Sequence, residues 1–174
     1  MNVAMMTNTY LPHVGGVAQS VHRFTTSLRA RGHQVLVVAP TYDGVPDQEN
    51  FVVRMPAVQN FNGSDFSVTL PVPGYLSTAF SEFSPHLIHS HHPFLIGDTA
   101  LRKAASYNLP IVFTHHTLYE EYVHYVPGEA ENLREFVKEL STGYANLCHH
   151  VIAPSESIKE ILMERGVHTP ISVV

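Results

Sequence analysis

Short apolar runs alternate with amphipathic stretches along this chain, and the alternation sets the expected architecture. Residues 2–7 form a brief apolar run, as a buried strand would. Val17, Val21, Phe24 and Leu28 then recur at helical spacing, which predicts a helix over 17–31. Arg29 and Arg31 give it a cationic last turn, and Gly32 stops it. Residues 34–39 are nearly all apolar, the pattern of a strand covered on both faces. Residues 51–54 read as a shorter strand. From 56 to 75, Pro56, Gly63, Pro71, Pro73 and Gly74 predict mostly loop, with space for a strand at 66–70.

Beyond that loop the pattern settles. A helix is expected at 76–83, ended by Pro85, then a strand at 86–90. A helix over 97–106 closes at Asn108 and Pro110, and 111–114 is the next strand. Residues 129–147 predict a long helix, with Leu133, Phe136, Val137, Leu140, Tyr144 and Leu147 along one face. A strand at 151–153 leads to a helix capped by Ser155 or Ser157 and stopped by Gly166. Residues 171–174 start a further strand, so the chain is expected to be part of a larger fold.

Strands alternating with helices imply an α/β fold with a doubly wound, mainly parallel sheet, here one Rossmann-like domain over 1–174. Such sheets bind ligands beyond the carboxyl ends of their strands. That rule gathers residues 8–16, 89–93, 115–125, Pro154 and Ser155 on one rim. His149 and His150 precede their strand, belong to the opposite rim, and are expected to be structural.

The 174 residues are 44% hydrophobic and 14% charged, which suits a compact domain and excludes a disordered one. A net charge of -5 without a basic block argues against nucleic acid as the main ligand. Cys148 is alone, so no internal disulfide can form and a reducing, cytoplasmic setting is expected. No secretory signal opens the sequence, and no run is long and apolar enough to cross a bilayer.

Histidine is over-used: there are 13, with clusters at His89, His91 and His92, at His115 and His116, and at His149 and His150. The run 89–93 approaches the H-x-H-x-D-H pattern of metallo-hydrolases, but Pro93 and Phe94 stand where the carboxylate and last histidine belong. A cleft whose histidines bond hydroxyls or backbone is the favoured reading, with no metal. Gly15 and Gly16 lie between a strand and a helix, where backbone amides can approach an anion. A plain tight turn explains them equally well, and no dinucleotide fingerprint is present. Residues 114–125 pack rings beside carboxylates and imidazoles, which suits a polyhydroxylated ligand. The polar face of the 129–147 helix mixes Glu129, Glu131, Arg134, Glu135, Lys138 and Glu139, a poor basic signal for a membrane surface.

Four stretches together resemble the N-terminal domain of a family 4 glycosyltransferase of the GT-B fold. They are YLPHVGGVAQS at 10–20, RGHQVLVVAP at 31–40, HLIHSHHP at 86–93 and IAPS at 152–155. THHTLYEEYVHY at 114–125 is similar to the diacylglycerol glucosyltransferases of that family. The resemblance implies a second, nucleotide-sugar domain outside this chain, retention of anomeric configuration, and no metal or other cofactor. It implies a nucleotide sugar, UDP-glucose foremost, as co-substrate, and a lipid acceptor such as diacylglycerol, or a soluble sugar. His116 would stand beside the transferred sugar, and Gly15 and Gly16 would face the donor diphosphate. Tyr10, Gln19, Tyr119 and Glu120 are the acceptor-side candidates. The chain alone would be inactive, and the whole enzyme would sit at the inner face of the plasma membrane if the acceptor is a lipid. A metal-dependent hydrolase, a non-catalytic carbohydrate- or lipid-binding module and a sugar-nucleotide epimerase are the competing readings.

Overall fold

Val3 and Met5 of the first strand, β1 (Asn2–Met6), join one apolar cluster, while Ala4 and Met6 join another on the opposite face of the sheet. All four are buried, so the strand is covered on both sides, as parallel sheets require. The computed structural model describes residues 1–46, 49–59, 67–72, 74–121 and 130–174.

Seven strands form the main sheet: β1, β2 (Gln34–Pro40), β3 (Val52–Met55), β6 (Leu87–Ser90), β7 (Ile111–Thr114), β8 (His150–Ala153) and β9 (Ile171–Val173). Their order is β3-β2-β1-β6-β7-β8-β9, with every pairing parallel. This is the doubly wound order, with its switch point between β1 and β6. Helix α1 (Gly16–Ala30) lays Val17, Val21, Phe24 and Leu28 on the Val3, Met5, Val35 and Val37 face. Residues of α2 (Ser77–Phe83), α3 (Ile96–Tyr107), α4 (Ala130–Leu147) and α5 (Glu156–Glu164) pack into the other cluster, with Phe80, Ile96, Ala100, Tyr144 and Leu162 fully or nearly buried.

The elements expected from the sequence are present, with ends shifted by a residue or two. Leu76 stands at the N-cap of α2, and Ser84 ends that helix in the left-handed region at φ 50°. Ser155, not Ser157, caps α5: its Oγ accepts the Ile158 N–H at 3.3 Å. Within 56–75 the expected loop contains a two-stranded antiparallel ribbon, β4 (Ala57–Val58) with β5 (Val68–Thr69). Phe66 and Gly63 lie outside the described residues, as does Glu129 at the expected start of α4.

Helix α4 keeps only part of its expected face inward: Tyr144 is buried, and Leu133 and Val137 are half-buried. Phe136, Leu140 and Leu147 are exposed, whereas Ser141, Tyr144 and Ala145 are buried. Tyr144 brings its hydroxyl to Ser90 Oγ and the Gly97 carbonyl beneath the helix. Packing around that anchor rotates the stripe of larger residues outward.

Candidate functional site

At the switch point, the residue two beyond β1 meets the residue two beyond β6. The Asn8 backbone N–H donates to His92 Nδ1 at 3.1 Å. His92 Nδ1 is therefore the acceptor, and its proton sits on Nε2. Asn8 is itself held at both ends of its amide. Its Nδ2 donates to the Phe94 carbonyl at 3.3 Å, and its Oδ1 accepts from Thr69 Oγ1 at 3.2 Å.

A polar support lies behind this junction. Ser90 Oγ donates to the His92 carbonyl at 3.0 Å, and the Tyr144 hydroxyl donates to Ser90 Oγ at 2.7 Å. Gly97, in the first turn of α3, allows the close approach: a Cβ there would lie 2.2 Å from the His92 carbonyl oxygen.

Three of the clustered histidines, His89, His91 and His116, form one connected group. His89 and His91 rings stand 4.1 Å apart, and His91 and His116 stack at 5.2 Å and 25°. His89 Nε2 pairs with Thr114 Oγ1 at 2.7 Å, and His91 Nδ1 with His116 Nε2 at 2.9 Å. Phe24 closes the group from α1, with its ring edge-on to His89 at 5.3 Å. Burial disfavours the charged imidazole in His89, His91, His92, His115 and His116 alike, neighbouring imidazoles add to the effect at His89, His91 and His92, and the Arg165 guanidinium adds to it at His115. The pKa values of His89 and His92 are pushed down to about 3, those of His115 and His116 to about 4, and that of His91 well below the ordinary histidine range. At neutral pH this rim carries neutral imidazoles, able to donate and accept but not to serve as cations. Among the described residues no three His, Cys, Asp or Glu side chains gather to hold a metal ion. The ring nitrogens of His89, His91, His92 and His116 turn to Thr114, Met5, Asn8 and one another, whereas both ring nitrogens of His115 are buried without a hydrogen-bond partner.

The glycine turn opens α1. Gly15 is the N-cap; no side chain caps the helix, and its first turn holds no acidic residue. The leading backbone N–H groups have no acceptor within the helix and keep their positive potential. Gly16 is exposed, and a Cβ there would meet nothing within 4 Å. Gly15 is closer set: its Cβ would lie 3.1 Å from His13 Nε2, and His13 stacks on Tyr42 at 6.1 Å and 10°.

The acceptor-side candidates separate. Gln19 is exposed on the first turns of α1. Tyr10 is only 6% exposed and packs in the α1-side core, with its ring 5.8 Å from the Arg54 guanidinium carbon. Tyr119 leans on His115 at 5.1 Å and on Phe94 at 5.6 Å, with its hydroxyl buried. Glu120 is buried and ion-paired to Arg165 at 2.5 Å. Residues 122–125 of the aromatic stretch lie outside the described residues. His149, at the amino end of the sheet, donates its backbone N–H to the Ile111 carbonyl and accepts the Ile111 N–H on Nδ1.

Sequence reasoning missed Arg54 altogether. Its guanidinium donates to the carbonyls of Leu11 at 2.7 Å and Pro40 at 3.2 Å and pairs with Glu49 at 2.5 Å. It also lines a cavity of about 1000 Å³ beside β3, together with Tyr42, Gln59 and Tyr75. An arginine in a short edge strand gave no signal, since the carbonyls it holds, those of Leu11 and Pro40, are distant in sequence.

Comparison with known proteins bears on this geometry. Residues 14–174 match the family described as Glycosyltransferase Family 4. The chain is 30% identical over 172 residues to an alpha-monoglucosyldiacylglycerol synthase of Streptococcus pneumoniae, covering 94% of this chain and 37% of that protein. It is 28% identical to an enzyme of the same name from Acholeplasma laidlawii, over 91% of this chain and 42% of that one. A GDP-mannose-dependent alpha-mannosyltransferase of Corynebacterium glutamicum is 28% identical, over 97% of this chain and 41% of that protein. The chain thus spans well under half the length of these relatives. Among solved structures, a sucrose-phosphate synthase from Thermosynechococcus elongatus superposes with TM-score 0.70 at 18% identity, over 99% of this chain and 47% of that one. Anabaena HepE, solved with UDP and glucose, gives 0.66 at 14%, over 100% and 44%. At those identities the likeness shows the fold, the Rossmann-like N-terminal half of a GT-B architecture.

Proposed function

The chain belongs to glycosyltransferase family 4, and from that premise we propose that it is the acceptor-side half of a retaining hexosyltransferase acting on a lipid. The donor is a nucleotide diphosphate sugar, UDP-glucose foremost, and the acceptor a diacylglycerol. A second domain outside these residues supplies the rest of the donor site, so the chain alone binds without turnover.

The observation that carries this reading is the uncapped, glycine-opened start of α1 on the same sheet edge as the neutral histidine rim. The helix start offers unpaired N–H groups and positive potential to the leaving diphosphate. The rim offers hydrogen-bonding imidazoles to sugar hydroxyls. During transfer the bond from the anomeric carbon to the phosphate oxygen breaks, and a bond to the acceptor oxygen forms on the same face. The acceptor proton passes to a donor phosphate oxygen. His116, neutral and facing the sugar, favours the developing positive charge through its lone pair. This chemistry needs no metal, and the group of histidines is used as a hydrogen-bonding wall.

The two diacylglycerol synthases among the relatives support the lipid acceptor, and with it a place at the cytoplasmic face of the membrane. No helix among the described residues is long and apolar enough to cross a membrane. The mannosyltransferase relative supports GDP-mannose as the second donor to try.

The test offers the two-domain protein UDP-glucose or GDP-mannose with diacylglycerol vesicles or soluble sugars, and follows nucleotide release and product mass. Glucosylated diacylglycerol is the expected product. A glycosylated soluble sugar, with diacylglycerol untouched, would reassign the acceptor. Saturable binding without any product would make this a binding module.

A further inference from the structure

We infer that His91 is a positioning residue that fixes the tautomer of His116, leaving the His116 Nδ1 lone pair as the atom offered to the ligand. The inference deepens the proposed transferase reading, but its structural half stands apart from it.

The proton count decides the arrangement. Both imidazoles are neutral at neutral pH, so each has one N–H and one lone pair. His91 is fully buried and has two close partners: His116 Nε2 lies 2.9 Å from its Nδ1, and Met5 Sδ lies 3.1 Å from its Nε2. If His91 carried its proton on Nδ1, it would donate to His116. Its bare Nε2 would then face the lone pairs of a thioether at 3.1 Å, inside normal contact, and would be a buried acceptor without a donor. If the proton is on Nε2, His91 donates to Met5 Sδ, a weak acceptor but a satisfied pairing. His91 Nδ1 is then the acceptor, and His116 must supply the proton from its Nε2. The chain of hydrogen bonds runs from His116 through His91 to Met5.

The surroundings hold this direction. Met5 is buried in β1, and its place in the ladder is fixed by pairing with Val37 and His89. His91 is braced by the His89 ring at 4.1 Å and by Phe24 at 6.0 Å. The His91 N–H of the backbone donates to the Met6 carbonyl, so its Cα cannot drift. The other groups facing this pair are His89, His92 and Thr114, and the Thr114 hydroxyl is occupied by His89.

The consequence is chemical. A His116 with Nε2–H committed to His91 presents a lone pair at Nδ1. It accepts a hydrogen bond from a sugar hydroxyl and turns negative potential toward positive charge at the anomeric carbon. The opposite tautomer would present an N–H dipole of the wrong sign.

The experiment is nitrogen-detected histidine NMR on the chain labelled with 15N at histidine, with no variant needed for the main result. His116 and His91 are both expected as the Nε2–H tautomer at pH 7. Finding either with its proton on Nδ1 overturns the assignment, whatever the enzyme transfers. In the two-domain protein, His91→Gln keeps an acceptor for His116 and should stay within a few-fold of normal kcat. His91→Phe removes it and should lower kcat about tenfold or more with donor KM little changed. Equal kcat for the two folded variants would overturn the positioning role. A tautomer as expected in a protein that transfers no sugar would reject the transferase reading and leave the His91–His116 assignment standing.

Discussion

Arg54 on the edge strand β3 holds the carbonyl of Leu11 at 2.7 Å, and so fastens the loop that leads to Gly15 and Gly16. The same guanidinium pairs with Glu49, bonds Pro40, and lies near the rings of Tyr10 and Tyr42. Its side chain is only 10% exposed, so its charge and its partners depend on one another. One edge residue thereby sets where the glycine turn sits relative to the sheet.

Arg54→Met should therefore cost about 2 kcal/mol or more of stability, through a stranded Glu49 carboxylate and two unmet carbonyls. Chemical unfolding of the chain measures this. In the two-domain protein, donor KM should rise several-fold more than kcat falls. Unaltered stability and donor KM would show that the loop is held by other contacts.

Gly16 separates fold from ligand. A Cβ at this position meets no neighbour, so Gly16→Ala should leave the unfolding free energy within about 0.5 kcal/mol. Gly16→Val should also fold, yet raise donor KM about tenfold or more by holding the diphosphate away from the helix start. Normal donor kinetics in Gly16→Val would mean the glycine serves the turn alone.

Gly97 is the converse case. Its substitution by alanine drives a methyl against the His92 carbonyl, which is backbone and cannot swing aside. Gly97→Ala should destabilise the chain by about 2 kcal/mol or more, read by thermal or chemical unfolding. A stability unchanged by Gly97→Ala would contradict the close contact between α3 and the β6 loop.

Acid should weaken this fold in a defined window. An unfolded histidine titrates near 6.5, whereas His89, His92, His115 and His116 in the folded chain titrate at about 3 to 4 and His91 is also depressed. Above that unfolded value neither state binds these protons. As pH falls from about 6.5 toward 4, the unfolded chain takes up protons that the folded chain refuses, so stability falls. Unfolding midpoints should drop steadily between pH 7 and 4.5. A flat profile over that range would mean the histidines are charged or accessible in the folded state.

Much of this was legible in the sequence because it depends on local pattern. Residues 34–39 are apolar at nearly every position, and a fully covered parallel strand is what such a run forms. The placing of residues 8–16, 89–93 and 115–116 on one rim followed from strand order alone. The buried face of α4 was legible only in part. Tyr144 lies on the predicted stripe and is buried, but Ser141 and Ala145 beside it give no hydrophobic period, while Phe136 and Leu140 do and remain exposed. The two-residue strand β4 is too short to leave a pattern. The histidine pairing was hidden for another reason: His91 and His116 are 25 positions apart, and only the parallel register of β6 with β7 brings them together.

The most direct measurement of the central claim is turnover by the two-domain protein with His116→Ala, beside a circular dichroism check of its fold. The neutral histidine rim is the site of sugar transfer on this account, so kcat should fall about 10²-fold or more, with the fold intact and donor KM within a few-fold of normal. Near-normal turnover by a folded His116→Ala protein would contradict it and move the reacting sugar away from this rim.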